Sequence, residues 1–149
     1  MHTCWTQGPS IGLSEMLDAR EQRVKIQQEL LKKHPACVVS FTLNIAGPVK
    51  VTPFTKWLYA LGIRLIQQGI SEQNGEILKK TEEKKDTGWE CFFALSLEPK
   101  AIKAYLIRQE ERHPLGRLFD FDVLCPDGTK VSRQELGFPE RTCLLCKNP

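Results

Sequence analysis

Arg117-Leu118-Phe119-Asp120-Phe121-Asp122-Val123 is the stretch that decides the fold. Phe119, Phe121 and Val123 alternate with Asp120 and Asp122, the period of two that gives a strand one apolar and one polar face. The pattern predicts a strand over 117–125, closed by the turn residues Pro126-Asp127-Gly128-Thr129. Residues 37–46 alternate in the same way. Val39, Phe41, Leu43 and Ile45 fall on one face and Val38, Ser40, Thr42 and Asn44 on the other, up to Gly47-Pro48. Between these two strands lie a helical pattern over 52–68 and a strand over 75–83. A hairpin tip at 84–88, a strand over 89–97 and a helix opened by Pro99 and running to 112 complete the series.

The order strand, helix, strand, strand, helix, strand is that of two split βαβ units. It predicts an α+β fold, a ferredoxin-like βαββαβ layout whose four-stranded antiparallel sheet carries both helices on one face. The apolar sets Val39/Phe41/Leu43 and Phe119/Phe121/Val123 would face those helices. The opposite face would carry Ser40, Thr42 and Asn44 beside Asp120 and Asp122. An added helix over 13–34, capped by Ser14 and stopped by His34-Pro35, precedes the 37–125 core. Its apolar stripe reads Leu17, Val24 and Leu31, with Arg20 on the same line. Residues 1–12 read as a loop and 126–149 as a C-terminal extension, so 1–149 forms one domain.

Composition fits this. A chain of 149 residues, 41 % hydrophobic and 26 % charged, is long enough to bury a core without staples. No apolar run is long enough to span a bilayer, and no basic region followed by an apolar stretch opens the chain, so a cytoplasmic location is expected. Twenty-one Lys and Arg against 18 Asp and Glu leave +3, too mild to demand a nucleic-acid partner. Of six cysteines, Cys4, Cys37, Cys91 and Cys125 are scattered, which suits reduced, buried thiols.

Three groups of residues can carry chemistry. Asp120 and Asp122 share one strand face with Cα atoms roughly 7 Å apart. Like charges so placed repel unless a cation lies between them, and Mg²⁺ takes one or two carboxylates together with substrate phosphates. The plain alternative is a solvated face or an ion pair with Arg117 or Arg133. Lys50, Arg117 and Arg133 flank strand ends, where a polyphosphate site needs cations; singly, each also reads as a surface charge. His113 can serve as a base or phosphate ligand, or merely end a helix before Pro114. Cys143-Leu144-Leu145-Cys146 has zinc-ligand or redox spacing, with no second pair after it. There is no P-loop, dinucleotide fingerprint or aromatic RNA-binding signature.

Taken together, several stretches resemble one family. They are His113-Pro114-Leu115-Gly116-Arg117-Leu118-Phe119-Asp120-Phe121-Asp122-Val123-Leu124-Cys125-Pro126-Asp127-Gly128, then Ser132-Arg133, then Arg141-Thr142-Cys143-Leu144-Leu145-Cys146. With Arg20-Glu21-Gln22-Arg23 and Val39 to Lys50, they are similar to the apo-citrate lyase phosphoribosyl-dephospho-CoA transferases, the holo-acyl-carrier-protein synthases of citrate lyase. The likeness runs from about residue 13 onward and is looser over 72–100.

The resemblance implies a nucleotidyltransferase. Its donor would be 2'-(5''-triphosphoribosyl)-3'-dephospho-CoA, its acceptor a serine of the citrate lyase acyl carrier (gamma) subunit, and its by-product pyrophosphate. Set against that reaction, Asp120, Asp122 and Arg117 are the expected catalytic residues, with Mg²⁺ on the two aspartates. Lys50, Arg133, Arg20, Arg23, His113 and Asn44 are the expected substrate-binding residues. The family pattern continues beyond the cysteine pair with a further Cys and a His, so Cys143 and Cys146 supply half of an expected Zn²⁺ set. Two other readings stay open: a non-catalytic ferredoxin-like ligand-binding or regulatory module, and another metal-dependent phosphoryl-transfer enzyme such as a nuclease. The first has no need of the aspartate pair; the second would call for stacking aromatics and a stronger positive charge.

Overall fold

The computed structural model describes residues 5–141. Their elements are α1 (Leu13–Lys33), β1 (Cys37–Leu43), α2 (Pro53–Glu72), β2 (Ile77–Lys85), β3 (Gly88–Leu95), α3 (Pro99–Arg112) and β4 (Phe119–Leu124). The strands form one antiparallel sheet in the order β2-β3-β1-β4. The fold is therefore α+β, with a four-stranded antiparallel sheet.

Alternation along the strands decides what each face buries. Val39, Phe41, Cys91, Phe93, Leu95, Phe119, Phe121 and Val123 point to the face covered by α2 and α3. There Phe41, Phe119 and Phe121 form a ring cluster with centroids 5.0–6.1 Å apart, and Leu58 and Ile66 of α2 and Ile102 and Leu106 of α3 close over it. Fully burying each such side chain is worth roughly 1.5–3 kcal/mol, so this layer carries most of the apolar stabilisation. The expected facing of Val39, Phe41, Phe119, Phe121 and Val123 holds.

The opposite face is not open. Helix α1 lies across β1 and β3, and Ile26 and Leu30 pack on Val38, Phe92, Ala94 and Leu124. The stripe expected on α1 is corrected accordingly. Leu17 and Val24 are about half exposed, and the buried line is Ile26, Gln27 and Leu30. A polar residue sits on that line because Gln27 Nε2 donates to Ser40 Oγ at 2.9 Å. The α1 cap is also corrected: Gly12 precedes the helix and its N–H donates to Glu15 Oε1 at 3.2 Å, while Ser14 is already helical.

Element ends shift for local reasons. Strand β1 stops at Leu43 rather than residue 46, one rung short of a last ladder-like bond from Asn44 N–H to the Leu118 carbonyl at 2.8 Å. Helix α2 begins where expected, at a reciprocal Thr52–Thr55 cap with Pro53 first in the helix, but runs four residues further than expected. Arg117 belongs to a short 3-10 turn, Gly116–Leu118, so β4 starts at Phe119.

Candidate functional site

On the α1 side of the sheet the register sorts residues into rows. Ser40 pairs with Asp122 and Thr42 with Asp120, while the β1–β3 ladder, ending with Phe41 opposite Cys91, leaves Glu90 on the far side of Thr42. The row nearest the apolar end of α1 is Ala94, Val38 and Leu124; the row at the other end is Glu90, Thr42 and Asp120. One sheet face thus passes from apolar to acidic. Where it turns acidic, α1 supplies Arg20 and Arg23.

These groups line a cleft of about 180 Å³, together with Asn44, Lys50 and Trp89. Pockets that enclose a whole drug-sized ligand measure roughly 300–1,000 Å³, so this one suits the charged end of a ligand whose remainder lies outside. Its walls are braced. Lys50 Nζ donates to the Ile45 carbonyl, and Thr55 Oγ1 donates to the Lys50 carbonyl at 3.0 Å. Gly47, with φ +85°, makes the turn that brings Lys50 back towards the sheet, and Ile11 N–H ties the Pro48 carbonyl at 2.9 Å. At the rim the Trp89 ring carries two ammonium groups, Lys84 at 4.6 Å and Lys56 at 5.3 Å from its centroid.

Electrostatics distinguish the two cleft carboxylates. Burial, and next the neighbouring charge of Asp122, hold Asp120 above the usual carboxylate range; Arg141, Lys103 and Arg23 oppose that rise. Glu90 is raised by burial, and Arg23, whose Nε donates to Glu90 Oε1, pulls it back. Glu90 was missed by the sequence reading. The available signal was a lone charge inside Trp89-Glu90-Cys91-Phe92-Phe93-Ala94-Leu95, where an acid in so apolar a strand requires a partner.

The structure brings together Arg20, Arg23, Asn44, Lys50 and Asp120. It does not bring the other expected residues to them. Asp122 shares the face but meets Lys130 Nζ at 3.5 Å. Arg117, His113 and Arg133 line a second cleft of about 500 Å³ on the far side of the turn that opens β4. There Arg133 is engaged by Glu110 at 2.7 Å, Glu111 at 3.0 Å and the Pro139 carbonyl at 3.0 Å. Arg141 bridges Glu110, the Phe119 carbonyl at 2.8 Å and the Arg117 carbonyl at 2.8 Å. His113 Nδ1 accepts the Leu115 N–H at 3.1 Å, closing the turn after α3. Cys143 and Cys146 lie outside the described residues.

The donor set here bears on which divalent cation could fit. Among the described residues no three His, Cys, Asp or Glu side chains are grouped to hold a metal ion. Mg²⁺ does not require such a cage; it needs one or two carboxylates and takes its other ligands from phosphate and water. A half-buried aspartate beside three cations fits a Mg²⁺ that arrives with a polyphosphate.

Comparison with known proteins decides the family. The model of the apo-citrate lyase phosphoribosyl-dephospho-CoA transferases matches residues 11–149. The chain belongs to that family. Relatives named apo-citrate lyase phosphoribosyl-dephospho-CoA transferase in Escherichia coli O139:H28 (strain E24377A / ETEC) and O8 (strain IAI1) are each 33 % identical to it over 138 residues. Those alignments cover 93 % of this chain and 75 % of each relative. The protein from Escherichia coli O1:K1 / APEC matches with the same identity and coverage. Membership in this transferase family agrees with the resemblance drawn from the His113–Gly128 stretch. No helix among the described residues is long and apolar enough to cross a membrane.

Proposed function

We propose that this chain transfers the 2'-(5''-phosphoribosyl)-3'-dephospho-CoA prosthetic group from its triphosphoribosyl precursor to a serine of the citrate lyase acyl carrier subunit, releasing pyrophosphate. One observation carries the assignment of the site: the cleft in which Arg20 and Arg23 of α1 meet Lys50 and Asp120 at the acidic end of the sheet. We read the βαββαβ order, with α2 and α3 on one face, as the ferredoxin-like arrangement, and α1 as an addition that converts the second face into a phosphate-binding wall.

In this reading Arg20, Arg23 and Lys50 hold the triphosphate, Arg as a planar fork and Lys as a point charge. The cleft accommodates that charged end while the ribosyl and dephospho-CoA parts lie outside. Asp120, with Asp122 one row away, would hold Mg²⁺, which when bound neutralises charge on the departing pyrophosphate. The serine oxygen bonds to the phosphorus next to the ribosyl group, the bond from that phosphorus to pyrophosphate breaks, and the hydroxyl proton is released. Lys50, pinned by Ile45 and Thr55, orients the phosphates without having to be ordered on binding. Arg117, His113 and Arg133, in the second cleft, organise the turn into β4 and so the position of Asp120. The mildly basic surface suits an acidic carrier protein.

Titration calorimetry with the triphosphoribosyl donor tests this. Lys50→Ala and Arg20→Ala should each weaken binding on the order of 10-fold, about 1.4 kcal/mol, with unchanged thermal unfolding. Unaltered donor affinity in both variants would move the triphosphate out of this cleft.

A further inference from the structure

At the end of the sheet away from this cleft, we infer that Cys37 and Cys125 form an oxidisable cross-strand pair, a site of reversible disulfide formation. Continued one step past Val38–Leu124, its last pair, the β1–β4 register would set Cys37 opposite Cys125, and the charge of Cys125 does act on Cys37. The hydrogen bonding of β4 fixes the kind of pair. The Phe119 carbonyl accepts from Arg141, the Phe121 carbonyl from Lys103 Nζ at 2.6 Å, and the Val123 carbonyl from Val131 N–H at 2.9 Å. Cys125 N–H donates to the Thr129 carbonyl at 2.8 Å. The odd-numbered residues of this edge strand therefore turn their backbone groups away from β1, and Cys37–Cys125 occupies a non-hydrogen-bonded position.

Facing Cα atoms at such positions lie roughly 4.5 Å apart, inside the range of about 4.4–6.8 Å that a disulfide bridges. Both side chains point to the same face. Cys37 belongs to the core layer under α2 and α3, and Cys125 packs against it. Both also line one surface cleft of about 440 Å³ with Leu95, Glu98 and Pro126, through which an oxidant can reach the half-buried Cys125, with the buried Cys37 directly behind it. Cys91 has no such partner, since Phe41 and Glu82 stand opposite it.

The two thiols have different tasks. Burial, with smaller contributions from Cys125 and Glu98, pushes the Cys37 thiol up to about 12, so it is a poor first nucleophile. Cys125 is only half-buried. With a small disulfide such as oxidised glutathione, the Cys125 thiolate attacks one sulfur and releases one glutathione thiolate. Cys37 then attacks Cys125 Sγ and releases the second. The two protons lost by the cysteines end on the two glutathione thiols, and the two electrons reduce the glutathione disulfide.

The test is disulfide mapping of the full chain after incubation with oxidised glutathione, acid quench, alkylation and tryptic digestion. Peptide 34–50 carries Cys37 and peptide 118–130 carries Cys125, each with no other cysteine. The expected product is these two peptides joined, lighter by two hydrogens than their sum, and separated again by dithiothreitol. Denaturation in urea before oxidation should abolish the preference for this pairing, and Cys125→Ser should leave Cys37 alkylated. Recovery of both peptides in the alkylated form, from samples whose Cys143–Cys146 peptide has been oxidised, would overturn the inference. So would equal linkage in native and denatured chain.

Discussion

Asp120 stands where two demands conflict. Its carboxyl is held above the ordinary value of 3.8 by burial and by Asp122, so the folded protein takes up a proton there before the unfolded chain does. The stabilising contribution of that proton is complete below 3.8 and is lost as pH rises through the raised value. At neutral pH the buried charge therefore lowers stability. Asp120→Asn should unfold at higher urea concentration than the parent at neutral pH, with the advantage vanishing below pH 3.8. The same variant should transfer the prosthetic group on the order of 100-fold more slowly. A variant that is both less stable at neutral pH and fully active would remove Asp120 from the site. Glu90 behaves in the same sense, except that Arg23 already offsets part of the cost. Asp120 could be singled out in the sequence because strands seldom hold aspartate. Glu90 could not be given a role there, because its partner Arg23 is 67 residues away and reaches it only once α1 is docked.

At the scale of elements, strands were more legible than helix faces. The period of two in β1 and β4 is unambiguous, and each strand position facing α2 and α3 holds an apolar residue, while on the other face Ser40 is buried against α1. Helix α1 misled because Leu17 and Val24 are apolar yet about half exposed, so that of the expected stripe Leu31 alone packs on the buried cluster, while Gln27 takes a buried position through a bond to Ser40. Polar residues that satisfy one another in the tertiary structure leave no apolar trace in the sequence. Helix α2 holds a comparable feature. A Cβ at Gly62 would come within 2.1 Å of the Phe41 ring, and one at Gly69 within 2.3 Å of Tyr105. The glycines let α2 settle onto the aromatic cluster and, through Tyr105, onto α3, whose Tyr105 hydroxyl donates to the Leu65 carbonyl at 2.9 Å. Gly62→Ala should therefore cost about 1–3 kcal/mol through overpacking, despite the better helix propensity of alanine. Thermal unfolding measures this directly; a neutral or stabilised variant would show that α2 can move away from Phe41 at little cost.

For the molecule as a whole, the sheet divides labour between its faces. The α2/α3 side supplies the core, and the α1 side is part core, part site, with the change falling between the Val38 and Thr42 rows. Two clefts flank the start of β4. The one with Arg20, Arg23, Lys50 and Asp120 is read as the phosphate site, and the one with Arg133, Arg141 and Glu110 as the brace that fixes it. Sequence could list the cations but not divide them, because Lys50 and Arg133 separate only when the chain folds. The most direct test is a mass spectrum of the apo acyl carrier subunit of citrate lyase after incubation with the full chain, the triphosphoribosyl-dephospho-CoA donor and Mg²⁺, with a parallel EDTA sample. The account predicts a mass gain equal to the phosphoribosyl-dephospho-CoA group in the first sample and none in the second. A carrier subunit left unmodified with donor and Mg²⁺ present would contradict the transferase reading, and a gain undiminished by EDTA would contradict the metal.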